Sequence, residues 1–185
     1  ILTSPDGVTW TEQSSGTRRT LSSVAYGNNQ FIAVSSARYP EFIDTILTSP
    51  DGATWTARSP VRESWLYSVA YCNNQFIAVG LSGTILTSPD GVTWTVRISG
   101  TAKRLYSVTY YNNQFIAVGS RGTILNSRDG TIWTERIYEK KKRFRSVTYS
   151  NNQFIAVGED GIILTSPDGK TWSERPSGTE KGLES

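Results

Sequence analysis

The 185-residue chain contains no histidine, no methionine and a single cysteine, Cys72. Without histidine, no catalytic triad that uses imidazole as its base can be built. With one cysteine and no histidine, an internal disulfide framework and cysteine/histidine metal sites are excluded as well. No run of apolar residues approaches the roughly 18 that a membrane-spanning helix requires. The sequence therefore predicts no metal site, no cofactor and no membrane span.

The missing methionine leaves the chain without an initiator residue. We therefore expect a processed product or a piece of a longer protein. A length of 185 residues suits one domain of ordinary size that buries a core. The charge balance is mildly basic, because 19 Lys and Arg residues face 16 Asp and Glu residues.

An internal repeat organises the whole chain. A phrase close to ILTSPDGxTW begins at Ile1, Ile46, Ile85, Ile124 and Ile163. A second phrase, NNQFIAV, contains Phe31, Phe76, Phe115 and Phe154 in its four copies. The tryptophans of the first phrase are 45, 39, 39 and 39 residues apart, and the extra six residues fall in the segment SSARYPEFIDT. A loop can absorb such an insertion, whereas a strand cannot.

Each repeat predicts four short strands and no helix. The first strand is LSSVAY (21–26) and its copies, and the second is QFIAV, whose unbroken apolar run indicates burial on both faces. An Asn-Asn pair between them favours a tight hairpin, since asparagine tolerates a left-handed backbone. The third strand is TILTS, and Pro-Asp-Gly turns the chain into the fourth, TWTAR. Four-stranded units of about 40 residues with a signature tryptophan are typical of a β-propeller.

The segment Ser-Pro-Asp-Gly-x-Thr-Trp resembles the Asp-box, or BNR, repeat that joins the third and fourth strands of propeller blades. The likeness covers essentially the whole chain and is closest to bacterial YVTN/BNR-like repeat proteins, which include photosystem II assembly-factor-like propellers. Two departures stand out. Asp and Gly are adjacent here, whereas the family usually has one residue between them. The fourth copy has Ile132 in place of threonine, so we expect it to lack one hydroxyl hydrogen bond.

The repeats predict one all-β propeller domain over 1–185, with four complete blades of four antiparallel strands and an N-terminal half-blade. The half-blade is 1–20, the blades are 21–64, 65–104, 105–143 and 144–177, and a tail, 178–185, reads like the start of another first strand. This pattern indicates a five-bladed ring or a truncated larger one. Unpaired inner strands offer open edges, so we also expect self-association that completes the fifth blade.

The repeated aspartates and tryptophans are interpreted as structural, because a catalytic residue does not need five copies. Aspartate caps turn amides, glycine supplies a positive φ, and tryptophan packs across a blade. The structural set is Asp6, Trp10, Asp51, Trp55, Asp90, Trp94, Asp129, Trp133, Asp168 and Trp172. Cys72 occupies a turn position and is interpreted as an incidental surface thiol.

The two ends of the predicted blades differ. The Asn-Asn and Pro-Asp-Gly turns repeat almost unchanged at one end, whereas the loops between blades and between second and third strands vary at the other. A surface that differs from blade to blade suits recognition of a specific partner. Basic residues outnumber acidic ones there by twelve to seven. The candidate binding residues are Arg18, Arg19, Arg62, Trp65, Lys103, Arg104, Arg121, Lys140, Lys141, Lys142 and Arg143. We expect residues 140–143 to repel one another on their loop.

The sequence thus favours a non-catalytic propeller that binds an acidic protein segment or an anionic glycan through this variable basic face. Nucleic acid is not favoured, since few aromatic residues accompany the charges. A multivalent lectin is the alternative, because equivalent blades offer equivalent pockets. A sialidase-like glycosidase fragment is a third hypothesis. Only Glu41/Asp44 and Glu159/Asp160 offer the carboxylate pair that its chemistry requires.

Overall fold

A computed structural model describes residues 1–36, 46–58 and 65–184. It contains eighteen β-strands in these segments. The strands are β1 Leu2–Thr3, β2 Thr11–Glu12, β3 Leu21–Gly27, β4 Gln30–Ser35, β5 Ile46–Ser49, β6 Thr56–Arg58, β7 Leu66–Cys72, β8 Gln75–Gly80, β9 Ile85–Ser88, β10 Thr95–Arg97, β11 Leu105–Tyr111, β12 Gln114–Gly119, β13 Thr123–Ser127, β14 Thr134–Ile137, β15 Phe144–Ser150, β16 Gln153–Gly158, β17 Ile163–Ser166 and β18 Ser173–Arg175. Single 3₁₀ turns follow β8, β12 and β16 at Leu81–Gly83, Ser120–Gly122 and Glu159–Gly161.

The strands form four antiparallel sheets of four strands and one hairpin, in sequence order. Blade 1 is β3–β6, blade 2 is β7–β10, blade 3 is β11–β14 and blade 4 is β15–β18, while β1–β2 is the half-blade. The prediction of an all-β propeller with four complete blades and an N-terminal half-blade is confirmed. First strands of successive blades face one another, β3 against β7, β7 against β11 and β11 against β15. The described sheets form an arc and do not close into a ring.

The second strand of each blade explains how the arc holds together. In β8, Phe76 and Ala78 pack toward blade 1, while Ile77 and Val79 pack toward blade 3, and all four are fully buried. Because strand side chains alternate between faces, an unbroken apolar strand serves two neighbours at once. Three apolar clusters result, one at each junction between adjacent blades.

Hydrogen bonds fix the register between blades. The amide of Gln30 donates to the Asp90 carbonyl at 2.7 Å, and Gln75 and Gln114 repeat the bond to Asp129 and Asp168 at 3.0 and 2.8 Å. On the inner strands, serine hydroxyls accept backbone N–H groups from the next blade, as Ser23 does from Val69 at 3.2 Å. The same two contacts therefore recur at every junction.

The hairpin between first and second strands has the predicted turn. Asn73 and Asn74 both adopt positive φ, at 50° and 57°, and the pairs in the other blades do the same. This left-handed pair is the two-residue turn whose twist matches its flanking strands.

Candidate functional site: a basic cleft on the loop face

The loops between blades and the 3₁₀ turns lie at one end of the sheets, here called the loop face. The Asn-Asn turns and the Ser-to-Trp turns (residues 4–10, 49–55, 88–94, 127–133 and 166–172, here called box turns) lie at the other, the box end. On the loop face, Ser120 N–H donates to the Arg104 carbonyl at 2.9 Å. A Cβ on the preceding Gly119 would lie 2.0 Å from that oxygen, so only glycine permits this approach. The turn is thereby held against the loop that precedes β11.

A cleft of about 820 Å³ opens on this face at blades 3 and 4. It brings together five of the eleven candidate binding residues, namely Lys103, Arg104, Arg121, Lys141 and Arg143. The cleft is lined by residues 100–104, the turn at 120–121, the loop at 141–143, Tyr106 and Glu159. We refer to it as the loop-face cleft.

The basic residues of the cleft differ in whether they form ion pairs with described residues. Lys103 pairs with Glu135 at 3.1 Å, and Arg143 pairs with Glu159 at 3.1 Å. In the part of the chain that the structure describes, Arg104, Arg121 and Lys141 form no side-chain ion pair, and all three are exposed. The cleft therefore presents excess positive charge to a ligand.

Aromatic rings and a second guanidinium accompany these charges. Tyr67 and Tyr106, on the inner strands of blades 2 and 3, lie with ring centroids 5.3 Å apart. The guanidinium carbons of Arg143 and Arg145 lie 5.8 and 5.6 Å from the Tyr106 centroid, within cation–π range. Sequence reasoning missed Tyr67, Tyr106 and Arg145. The signal was present, because they share the second position of the first strand, where the repeats differ.

The remaining basic residues of the 140–143 loop turn toward blade 4. Lys140 pairs with Glu174 at 2.5 Å, Lys142 pairs with Asp160, and the Tyr138 hydroxyl donates to Glu174. The hydrogen bonds from Lys140 and Tyr138 hold the pKa of Glu174 below its usual range. Desolvation, with Glu174 adding to it, raises the pKa of Tyr138 to about 12. Three of the four cations in this loop therefore have carboxylate partners, and these partners offset the repulsion expected between the cations.

Three further candidate residues do not line the loop-face cleft. Arg18 is exposed and Arg19 half-buried in the loop before β3. Trp65 is half-buried, and its carbonyl accepts the Leu81 N–H at 2.8 Å. Arg62 lies outside the described residues. Arg18, Arg19 and Trp65 are therefore not part of the cleft lining.

One of the two carboxylate pairs considered for a glycosidase, Glu159 and Asp160, forms ion pairs with basic side chains. Glu159 accepts contacts from Arg143 at 3.1 Å and Arg145 at 3.7 Å, and Asp160 pairs with Lys142. The other pair, Glu41 and Asp44, lies outside the described residues. Glu159 and Asp160 thus carry ion pairs in the geometry observed.

The box turns are held by their own aspartates. In the second, Asp51 accepts the backbone N–H groups of Ala53 and Thr54 at 2.9 and 2.7 Å, and Ser49 accepts that of Gly52 at 2.8 Å. The bonds from Thr54 and then Ala53 are the main causes that lower the pKa of Asp51 to about 2. The indole N–H of Trp55 donates to the Gly52 carbonyl at 2.8 Å. Equivalent aspartate-to-backbone bonds recur at Asp6, Asp90, Asp129 and Asp168, and the indole bond recurs at Trp94, Trp133 and Trp172.

The fourth box turn corrects one expectation. Ile132 has no hydroxyl, but Thr131 donates its hydroxyl to Asp129, and this bond is the largest cause of the lowered pKa of Asp129. The fourth box turn therefore keeps a hydroxyl hydrogen bond to its aspartate, supplied by the residue before Ile132. Cys72 also differs from expectation. It is half-buried against the core between blades 2 and 3, and desolvation raises the pKa of its thiol to about 12.

Across the described segments, no group of three or more cysteine or acidic side chains is placed to hold a metal ion. None of the helical turns there is long and apolar enough to cross a membrane.

Comparison with known proteins finds likeness in structure and none in sequence. No protein-family model matches the chain, and no curated protein does. A structure of YCF48 bound to a D1 peptide superposes with a TM-score of 0.68 at 18% identity, covering 92% of this chain and 58% of that one. YCF48 from Cyanidioschyzon merolae gives 0.69 at 18% identity, with 98% and 67% covered. The WD40 propeller domain of Doa1 gives 0.62 at 15%, with 83% and 53% covered. The chain thus spans little more than half of the peptide-bound YCF48 structure, and these likenesses show the propeller fold.

Proposed function

We propose that this propeller is a non-catalytic binding module that takes an extended acidic segment of a partner protein into the loop-face cleft. The observation that carries the proposal is the open cleft lined by Arg104, Arg121 and Lys141, three cations that form no ion pair with any described residue. Carboxylates of a bound segment would pair with them. A structural neighbour, YCF48, has been solved with a peptide bound, which supports a peptide as the type of ligand.

The ring of Tyr106 lines the cleft and packs against that of Tyr67, so the cleft has an apolar component beside its charge. Aromatic side chains supply contact area at low conformational cost, so they serve as anchors in recognition surfaces. The preferred segment therefore combines two or more acidic residues with an aromatic or aliphatic one. Glu159, paired with Arg143 and Arg145, adds a negative charge at one side of the cleft and disfavours peptides with an acidic residue there.

The test measures fluorescence anisotropy of labelled peptides in which acidic and apolar positions are varied. We expect saturable binding that weakens as salt rises, and a loss of at least tenfold in affinity for the double variant Arg104→Glu/Arg121→Glu. Arg18→Glu is the matched control, since it reverses an exposed loop-face charge outside the cleft. Equal losses in both proteins would show that net charge, and not the cleft, attracts the peptide.

A glycan array with the same proteins separates this function from that of a lectin. Glycan binding that is inhibited by a free sugar and unchanged in the Arg104→Glu/Arg121→Glu protein would contradict the proposal.

A further inference from the structure

The box end carries a second basic cleft, which the repeat pattern conceals. In four of the box turns a proline precedes the aspartate, but in blade 3 this residue is Arg128. The residue two positions before Arg128 is Asn126, where the other repeats have threonine. In the neighbouring box turn of blade 4, Lys170 replaces the small apolar residue found in the first three copies. Three departures from the repeat thus fall at one blade junction.

These side chains line a single cleft of about 350 Å³ between the box turns of blades 3 and 4. Its polar lining includes Asn126, Arg128, Asp129, Thr134, Arg136 and Lys170. Arg128, Arg136 and Lys170 are all exposed, so their charged groups are accessible to a ligand from solution. We refer to it as the box-end cleft.

Asn126 has a specific effect on Arg136. In the other complete blades the arginine at this position donates its Nε–H to a threonine of the adjacent third strand: Arg58 to Thr48 at 3.3 Å, Arg97 to Thr87 at 2.8 Å and Arg175 to Thr165 at 2.9 Å. Asn126 instead directs its amide to the Gly169 carbonyl of blade 4, at 3.4 Å. Within the described segments Arg136 has no hydrogen-bond or ion-pair partner, so its guanidinium fork is available.

The charge of the cleft is also uncompensated. Asp129 is its one acidic residue, and this carboxylate already accepts the N–H groups of Thr131 and Ile132 at 2.8 and 3.1 Å. Three cations against this one engaged carboxylate leave a local charge of about +2. The equivalent position beside Arg97 has no such excess, because Pro89 stands in place of Arg128 and Thr131 in place of Lys170.

We propose that the box-end cleft binds a phosphate dianion, held by Arg128, Arg136 and Lys170, with the Thr134 hydroxyl as a further donor. Two guanidinium forks and an ammonium can each pair with oxygens of a tetrahedral phosphate, and a charge of −2 matches the local excess. The phosphate source is either inorganic phosphate or a phosphomonoester on a peptide. The inference does not depend on the proposed peptide-binding function, because the two clefts lie at opposite ends of the blades.

The test is a calorimetric titration of the intact chain with inorganic phosphate, with N-acetyl-phosphoserine amide and with sulfate. We expect saturable one-to-one binding at pH 7.5 for phosphate. Binding of the phosphoserine amide should weaken severalfold at pH 5, because its second ionisation lies near pH 6 and only the dianion matches the site. Sulfate keeps its charge, so its binding should change little. Tighter binding of the phosphoserine amide than of inorganic phosphate identifies the ester as the source, and the reverse identifies the free ion.

Matched variants identify the residues. Arg136→Gln should weaken binding about tenfold, whereas Arg97→Gln removes the same residue type from the same strand position of blade 2 and should change it less than twofold. Asn126→Thr keeps every charge and restores the threonine that engages arginine in the other blades, so we expect a three- to tenfold loss. Absence of saturable phosphate binding to the parent chain, or equal losses for Arg97→Gln and Arg136→Gln, would overturn the proposal. Thermal melting of each variant confirms that the fold is retained.

Discussion

Replacing Trp133 with alanine tests how much one box turn contributes to the stability of the arc. Its side chain is 8% exposed and packs in the cluster shared by blades 2 and 3, and its indole donates to Gly130 at 3.0 Å. A buried tryptophan removes roughly 150–250 Å² from water, and about 25 cal/mol per Å² gives roughly 4–6 kcal/mol. Alanine retains part of that burial. We therefore expect the Trp133→Ala change to lower the free energy of unfolding by about 3–5 kcal/mol.

Trp10 provides a matched control within the same molecule. It occupies the equivalent position in the half-blade, yet it is 57% exposed and its indole has no hydrogen-bond partner in the described segments. The Trp10→Ala change should cost about 1 kcal/mol or less. Trp55 and Trp94, half-buried and hydrogen-bonded, should fall between the two.

The assay is urea unfolding followed by circular dichroism, in which a lower midpoint at an unchanged slope reports lost stability. Two outcomes would refute the reasoning. One is an equal cost for Trp10→Ala and Trp133→Ala. The other is an unchanged midpoint for Trp133→Ala with a loss of ligand binding, which would make the residue part of a binding site.

Three further predictions concern the exposed face of β3 in blade 1, the box turns and the Cys72 thiol. Val24 is 60% exposed, whereas its equivalent in blade 2, Val69, packs against blade 1 and is 5% exposed. Because this leaves an apolar surface open in blade 1, sedimentation should show concentration-dependent self-association that Val24→Glu abolishes. A stable monomer over a wide concentration range would contradict this prediction. The pKa of Asp51 is lowered to about 2 by backbone hydrogen bonds, so its stabilising effect is complete above about pH 4 and is lost as pH falls toward 2; the stability difference between the parent chain and Asp51→Asn should therefore shrink over that range in acid melts. Because burial raises the pKa of the Cys72 thiol to about 12, iodoacetamide at pH 8 should alkylate it far more slowly in the native chain than in urea, and equal rates would show that the site is open.

The blades were predictable from sequence because their signals are local and repeated. The apolar run of QFIAV indicated burial on both faces, and paired asparagines indicated the hairpin turn that Asn73 and Asn74 form. The clefts depend on pairing between residues far apart in sequence. Nothing in the run Lys140–Arg143 reveals that Glu174 binds its first member. In the sequence Arg136 is one of four equivalent arginines. Only the structure shows that Asn126, unlike the threonines of the other blades, directs its side chain to Gly169 and not to the arginine.

The three apolar clusters have a consequence for how the molecule fluctuates. Each cluster is shared by two adjacent blades, so a blade is stabilised by its own sheet and by the neighbours it touches, as in a one-dimensional chain of coupled units. Blades 2 and 3 each have a complete blade on both sides, whereas blades 1 and 4 have one. Local opening should therefore begin at the outer blades and spread inward. Amide protons of β8 and β12 should exchange with solvent more slowly than those of β4 and β16, although the four strands share nearly the same sequence.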